Sequence, residues 1–282
     1  MNMFRTAALM AVMMVLFILI GGAIGGEGGM FIAFILALGM NFFSYWFSDK
    51  MVLKMYGAQE VSREEAPELV NMVDRLRQRA GLPMPKVCIV PDDTPNAFAT
   101  GRNPANGVVA VTKGLMRHLN REEIEGVIAH ELAHIKNRDM LVSSIAATMA
   151  AAITYLAYAA MFFGNRDQNP LIGLLMVLLA PLAASLIQMA ISRTREYGAD
   201  KEGARIAGNP RGLASALASL ERAVQRQPAK AKNPKTEATS HMFIVNPFSG
   251  DVGSKLSSLF STHPPMDDRI ARLNEMAQTG DY

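Results

Sequence analysis

Four uncharged apolar runs, grouped as two pairs, limit what this chain can fold into more than any other feature. They cover residues 7–24, 30–47, 141–163 and 171–191, the last interrupted by Pro181 and softened by Gln188. At a helical rise of about 1.5 Å per residue, runs of this length reach across the hydrocarbon core of a bilayer. The first two are joined by Gly25-Gly26-Glu27-Gly28-Gly29 and are expected to form an antiparallel hairpin. A cleaved signal peptide would share the basic start at Arg5 and the small residues near Gly21 to Gly26, but the immediate second run favours an uncleaved span. The second pair, joined by residues 164–170, is richer in alanine, and a pair of buried soluble helices is its rival reading.

Charge sets the orientation. Lys50, Lys54, Lys136, Arg138, Arg193 and Arg195 flank one end of the four runs, whereas the connections at the other end hold only Arg166 as a cation. Cationic flanks stay in the cytosol, so both termini and the polar segments next to those flanks, residues 49–139 and 193–282, are expected there. With half of its residues hydrophobic, 19% charged and a net charge of only +3, the chain has a membrane-protein composition and no case for nucleic acid as a partner. Its one cysteine, Cys88, sits in an apolar Val-Cys-Ile run, which excludes an intrachain disulfide and makes a buried, inert thiol the simplest reading.

The polar sequence falls on either side of the second apolar pair. Four segments follow: a hairpin at 1–48, the first part of a polar domain at 49–139, a second hairpin at 140–192 and the rest of that domain at 193–282. Ser62 to Glu65 is a capping-box pattern ahead of the apolar stripe Leu69, Val70, Val73 and Leu76, with Gly81 and Pro83 ending that helix. Residues 86–90 and 108–111 read as strands, and Asn106-Gly107 points to a short antiparallel hairpin with residues 96–100. Asn120 and Glu123 form a second helix-start signal, and that helix is expected to run on past Asp139 toward the third apolar run. Further helices are expected over residues 193–207, 210–225 and 265–277, with residues 227–240, rich in Lys and Pro, as a loop.

The second of those helix starts opens onto His130-Glu131-Leu132-Ala133-His134. Residues four apart share a helix face, so both imidazoles can reach one zinc ion while Glu131 stands beside the metal-bound water as general base. A catalytic zinc needs a third protein ligand and an open position. Glu196 and Asp200, again four apart, follow the fourth apolar run at about the distance by which the histidine motif precedes the third. One of these carboxylates would bind zinc and the other would accept a hydrogen bond from a ligand imidazole. An isolated Glu-x-x-x-Asp is usually a solvated pair, and only this matched position raises its weight. A further cationic or hydrogen-bonding group for the oxyanion would be His263, with Arg193 second; His263 reads equally well as a turn residue before a helix. His118 and His241 have no supporting pattern.

Several motifs in this order resemble a family of membrane zinc peptidases that includes bacterial heat-shock proteases and the eukaryotic prenyl-protein endopeptidase acting on CAAX proteins. The residues that carry the likeness are the N-terminal hairpin, Asn96 to Gly101, His130 to His134, Arg193 to Asp200, and Thr262-His263-Pro264-Pro265. The resemblance implies one zinc ion held by His130, His134 and Glu196, Glu131 as the base, and Asn96, Ala97, Phe98 and Ala99 along the substrate cleft. It implies cleavage of misfolded or damaged membrane proteins on the cytosolic side of the bacterial inner membrane. The expected fold is a mainly α membrane protein with four transmembrane helices and a cytosolic α+β zincin-like (gluzincin) domain carrying a small β-sheet. An intramembrane protease is disfavoured by the charges around the motif, Glu122, Glu123, Glu125, Lys136 and Arg138. The non-enzymatic alternative is a membrane scaffold or holdase stapled by zinc.

Overall fold

The computed structural model describes residues 2–142, 144–145, 193–226, 243–245 and 264–282. Nearly all of the second apolar pair, the 227–240 loop, His241 and His263 lie outside them, and so do the side chains of some residues within α1 and that of Arg193.

Helix α1 (Asn2–Tyr56) doubles back at Gly26, where φ is 59°, a left-handed conformation that glycine adopts without penalty. Asn41 Nδ2 donates to the Met10 carbonyl at 3.1 Å across 31 positions, residues that a continuous helix would hold about 46 Å apart. Near the turn, Gly29 backs onto the Gly21 carbonyl, and a Cβ at Gly21 would collide with Ala33. The expected hairpin is therefore present, closed by small residues as in helix pairs packed in lipid. Its second arm, Gly26–Tyr56, is long and apolar enough to cross a membrane.

The arm is inside out by the standards of a soluble helix. Ala33, Ala37, Asn41, Ser44 and Ser48 form the buried seam, whereas Phe31 and Phe42 are 67% and 63% exposed and Ile32, Leu36 and Phe43 also face outward.

Beyond Tyr56 the chain builds a four-stranded sheet from β1 (Gln59–Glu60), β2 (Lys86–Val90), β3 (Ala97–Thr100) and β4 (Val108–Thr112), in the order β1-β2-β4-β3. β2 and β4 pair in parallel, Lys86 opposite Val108; the other two pairings are antiparallel. The β3–β4 hairpin is as expected, but its turn contains a 3₁₀ segment, Pro104–Asn106, with Asn103 Oδ1 accepting the Asn106 N–H at 3.0 Å. Every residue of β3 and β4 is buried, the apolar runs Ala97 to Ala99 and Val108 to Val111 together with the threonine that ends each strand, and β3 is an edge strand.

Helix α2 (Pro67–Ala80) buries Leu69, Val70, Val73 and Leu76 in the main core and ends at Gly81 in the left-handed conformation. Ser62 and Glu65 do exchange bonds, at 2.7 and 3.3 Å, but they close a turn ahead of the helix, which starts with Pro67 in its first turn. After α3 (Lys113–His118), α4 (Arg121–Asn137) opens with the Asn120–Glu123 capping box. It does not run on into the third apolar run. Arg138 adopts φ 59°, and the N–H groups of Arg138 and Asp139 return to the Ile135 and His134 carbonyls at 3.1 and 3.0 Å, capping the helix before a new one begins at Met140.

Helices α5 (Arg193–Ala207), α6 (Pro210–Arg226) and α7 (Met266–Thr279) complete the domain. α4 is its central helix, packed against α2, α5, α6 and β3. Its interior side carries Val127, Ile128, Leu132 and Ile135, all at most 1% exposed. Where α5 crosses α4, a Cβ on Gly203 would lie 2.9 Å from both Cα and N of His130, so the backbones touch there only because the residue is glycine.

Candidate metal centre

That crossing sets Glu196 and Asp200 of α5 against the histidines of α4. His130 Nδ1 lies 3.0 Å from Asp200 Oδ1, and His134 Nδ1 lies 3.2 Å from Asp139 Oδ2. A carboxylate only accepts, so each contact favours the imidazole proton on Nδ1 and leaves Nε2 as the atom that takes a metal ion or, with no ion bound, a second proton. The two Nε2 atoms face each other at 3.2 Å, and the Glu196 oxygens stand 3.7 Å from that of His130 and 3.6 Å from that of His134. Two imidazole nitrogens and a carboxylate directed at one point repel one another unless a proton or a metal ion joins them. One ligand atom from each of His130, His134 and Glu196 lies within 4.8 Å of the others. Two imidazoles and one carboxylate suit zinc, so the donor set fits the ion the sequence implied.

The centre is almost dry. His130, Glu131 and Asp200 are 2%, 5% and 2% exposed. Burial pushes the Glu131 carboxyl above its ordinary value, although the two histidines and the Ala99 N–H, which it accepts, pull the other way. Burial alone would raise Asp200 as well, but the Arg269 guanidinium and His130 hold it below the usual carboxylate range. Burial would lower His134, yet Asp139, Glu196 and Glu131 outweigh it and bring the group to about 9.

Two residues here were absent from the sequence reading. Asp139 reaches His134 only because the left-handed cap at Arg138 turns the chain back under its own helix. Arg269 of α7, wholly buried, donates Nε to Asp200 Oδ2 at 2.8 Å and Nη2 to Oδ1 at 2.7 Å, with Nη1 3.7 Å from Glu196 Oε2. Its signal was an arginine set between Met266, Ile270 and Leu273 in the apolar stripe of an amphipathic helix.

The other anticipated residues fall as follows. Asn96 is 1% exposed; its N–H donates to Thr112 Oγ1 at 2.9 Å and its Oδ1 accepts the Ile244 N–H at 3.1 Å. Ala97 and Ala99 are buried, and Phe98 packs on Tyr56 with ring centroids 5.1 Å apart. What β3 offers beside Glu131 is therefore its backbone edge. Arg193 opens α5, and His263 precedes the described residues that lead into α7. His118 Nδ1 is 2.8 Å from the Gly114 carbonyl of its own helix and takes no part in the centre. Cys88 is buried, its thiol pushed up to about 11 by burial.

Residues 63–277 match peptidase family M48. A protein named protease HtpX homolog from Salinibacter ruber is 68% identical over 277 residues, covering 98% of this chain and 99% of that one. Another of the same name, from Paraburkholderia phytofirmans, is 55% identical over 286 residues, covering all of this chain and 99% of that one. Among solved structures, Ste24p of S. mikatae has the same fold, with a TM-score of 0.53 at 16% identity, over 97% of this chain and 65% of that longer one.

Proposed function

Because this chain belongs to peptidase family M48, and is a metalloprotease, we propose that it is a membrane-bound zinc endopeptidase acting on misfolded or damaged membrane proteins at the cytosolic face. The observation that carries the catalytic part is the pair of imidazoles whose Nδ1 atoms are held by Asp200 and Asp139 while both Nε2 atoms face Glu196.

In this reading His130, His134 and Glu196 hold the ion, and Asp200 and Asp139 fix the tautomers. A zinc ion bound there supplies Lewis acidity, which lowers the pKa of water and polarises a carbonyl. Glu131 takes the proton of the attacking water on its carboxylate and returns it to the leaving amine. Its burial matches its basicity to that task. The Ala99 N–H orients the carboxylate and couples it to β3, the outer strand of the sheet among the described residues, along which an extended peptide would lie, at Asn96 to Ala99. His263 and Arg193 remain our proposals for the group that meets the developing oxyanion.

The inside-out hairpin supports the bilayer as the setting, and Lys50 and Lys54 at its exit support a cytosolic domain, in a multi-pass protein of the bacterial inner membrane serving envelope quality control. The test reconstitutes the full chain with an unfolded membrane-protein substrate carrying scissile loops on each side. Cleavage confined to the cytosolic loops, stopped by a chelator and restored by zinc, is expected. Cleavage indifferent to the chelator, or confined to the opposite loops, would overturn the reading.

A further inference from the structure

The end of the membrane hairpin carries a constellation that catalysis does not use. Tyr45, Trp46 and Phe47 close the apolar arm of α1, and Asp49, Lys50 and Lys54 follow within two turns. Trp46 is 41% exposed and packs against Phe42 and Tyr45, with ring centroids 6.2 and 5.5 Å away. Above its ring, 4.7 Å from the centroid, sits the guanidinium carbon of Arg102, which comes from the β3–β4 loop and not from the hairpin. One turn further along α1, Lys50 Nζ stands 5.5 Å from the centroid of the Phe47 ring. Among the described residues Arg102 makes no ion pair.

A guanidinium seated on an aromatic face keeps its N–H fork, and that fork matches a phosphate in a bidentate geometry. Amphipathic aromatic rings at an apolar-to-charged boundary belong at the depth of lipid headgroups. We propose that Arg102, seated on Trp46, binds the phosphate of an anionic phospholipid and so fastens the active-site strand to the membrane surface. The proposal rests on the hairpin being membrane-embedded. The connection to the site is short. Two residues before Arg102, Thr100 Oγ1 lies 2.7 Å from Ser144 Oγ at the start of the third apolar run, and Ala99 donates its N–H to Glu131. Charge complementarity selects the occupant: Arg102 over Trp46 and Lys50 over Phe47, with Lys54 one turn beyond Lys50, outnumber the single Asp49 and suit an anionic headgroup better than a zwitterionic one.

Trp46 is the chain's one tryptophan, so its fluorescence reads this spot directly. The full chain is reconstituted in mixed bilayers in which either phosphatidylglycerol or phosphatidylcholine carries bromine in its acyl chains. Quenching of Trp46 gives the relative occupancy of the two lipids beside it. The expected preference for phosphatidylglycerol is about fivefold, falling to about one in Arg102→Ala and recovering in part in Arg102→Lys, which keeps the charge without the planar fork. Equal quenching by both lipids in the unmodified chain would overturn the proposal, and so would a preference that survives Arg102→Ala. Absence of quenching by either lipid would instead overturn the membrane reading beneath it.

Discussion

Arg269 and Asp200 form a bidentate ion pair, at 2.7 and 2.8 Å, with the guanidinium wholly shielded from water. Through it the last helix of the chain reaches the candidate metal centre, since Asp200 also touches His130 and the free end of the guanidinium stands 3.7 Å from Glu196.

Removing Arg269 should therefore cost more than an ordinary core substitution. Arg269→Leu strands a buried Asp200 and is expected to destabilise the domain by about 3–5 kcal/mol. Asp200→Asn alone strands the guanidinium. The double variant should lose less than the sum of the two, because neither charge is then left unpaired. Denaturant titration of the four proteins reads the coupling; strict additivity would mean that the pair is not acting as one.

Asp139 offers a test of positioning without a test of fold. Asp139→Asn keeps the shape but no longer favours the Nδ1 proton of His134, and zinc affinity is expected to fall by about 10–100-fold. Competition against a chelator of known affinity measures it. An unchanged affinity would remove Asp139 from the account of the site.

Two glycines of α5 give opposite forecasts. Gly203→Ala drives a Cβ to 2.9 Å from the His130 backbone and should destabilise by about 1–3 kcal/mol. Gly198→Ala meets nothing within 4 Å and should stabilise the helix by about 0.5–1 kcal/mol. Thermal unfolding of the two variants separates backbone contact from helix propensity.

The acid limb of stability should carry the mark of Glu202, whose carboxyl is drawn from 4.5 to about 2 by hydrogen bonds from Arg205 and from Lys136 of α4. A group depressed in the folded state contributes fully above its unfolded pKa and loses that contribution as pH falls through the folded one. Glu202→Gln should thus be less stable than the parent by on the order of 1 kcal/mol near neutrality. That difference should shrink below about pH 4.5 and be gone near pH 2. A difference constant across that window would contradict the assignment.

How far the sequence reached depended on the range of each interaction. The turn of the hairpin was legible in a run of glycines, and the approach of the Glu196–Asp200 pair to His130 and His134 followed from i, i+4 spacing on helices joined by paired apolar runs, whereas the choice of Glu196 over Asp200 came from the family resemblance. Asp139 was not legible, because its approach to His134 depends on a left-handed arginine at a position where glycine or asparagine is the usual signal. For the same reason α4 stops where continuous helix was expected. Arg269 lies 69 residues from its partner, and nothing local reveals that α7 docks its arginine inward. The parallel pairing of β2 with β4 is likewise a long-range choice, whereas the β3–β4 hairpin is local and was read correctly. Asn96 is buried with its side-chain oxygen accepting the Ile244 N–H, a contact 148 residues away that no local pattern shows.

The most direct test of the central claim measures zinc content and peptide-bond cleavage on one preparation of Glu131→Gln. The account predicts one zinc ion per chain, as in the parent, with cleavage reduced about 100-fold or more, because the ligands are intact and only the proton acceptor is gone. Full zinc occupancy with cleavage at the parent rate would contradict it.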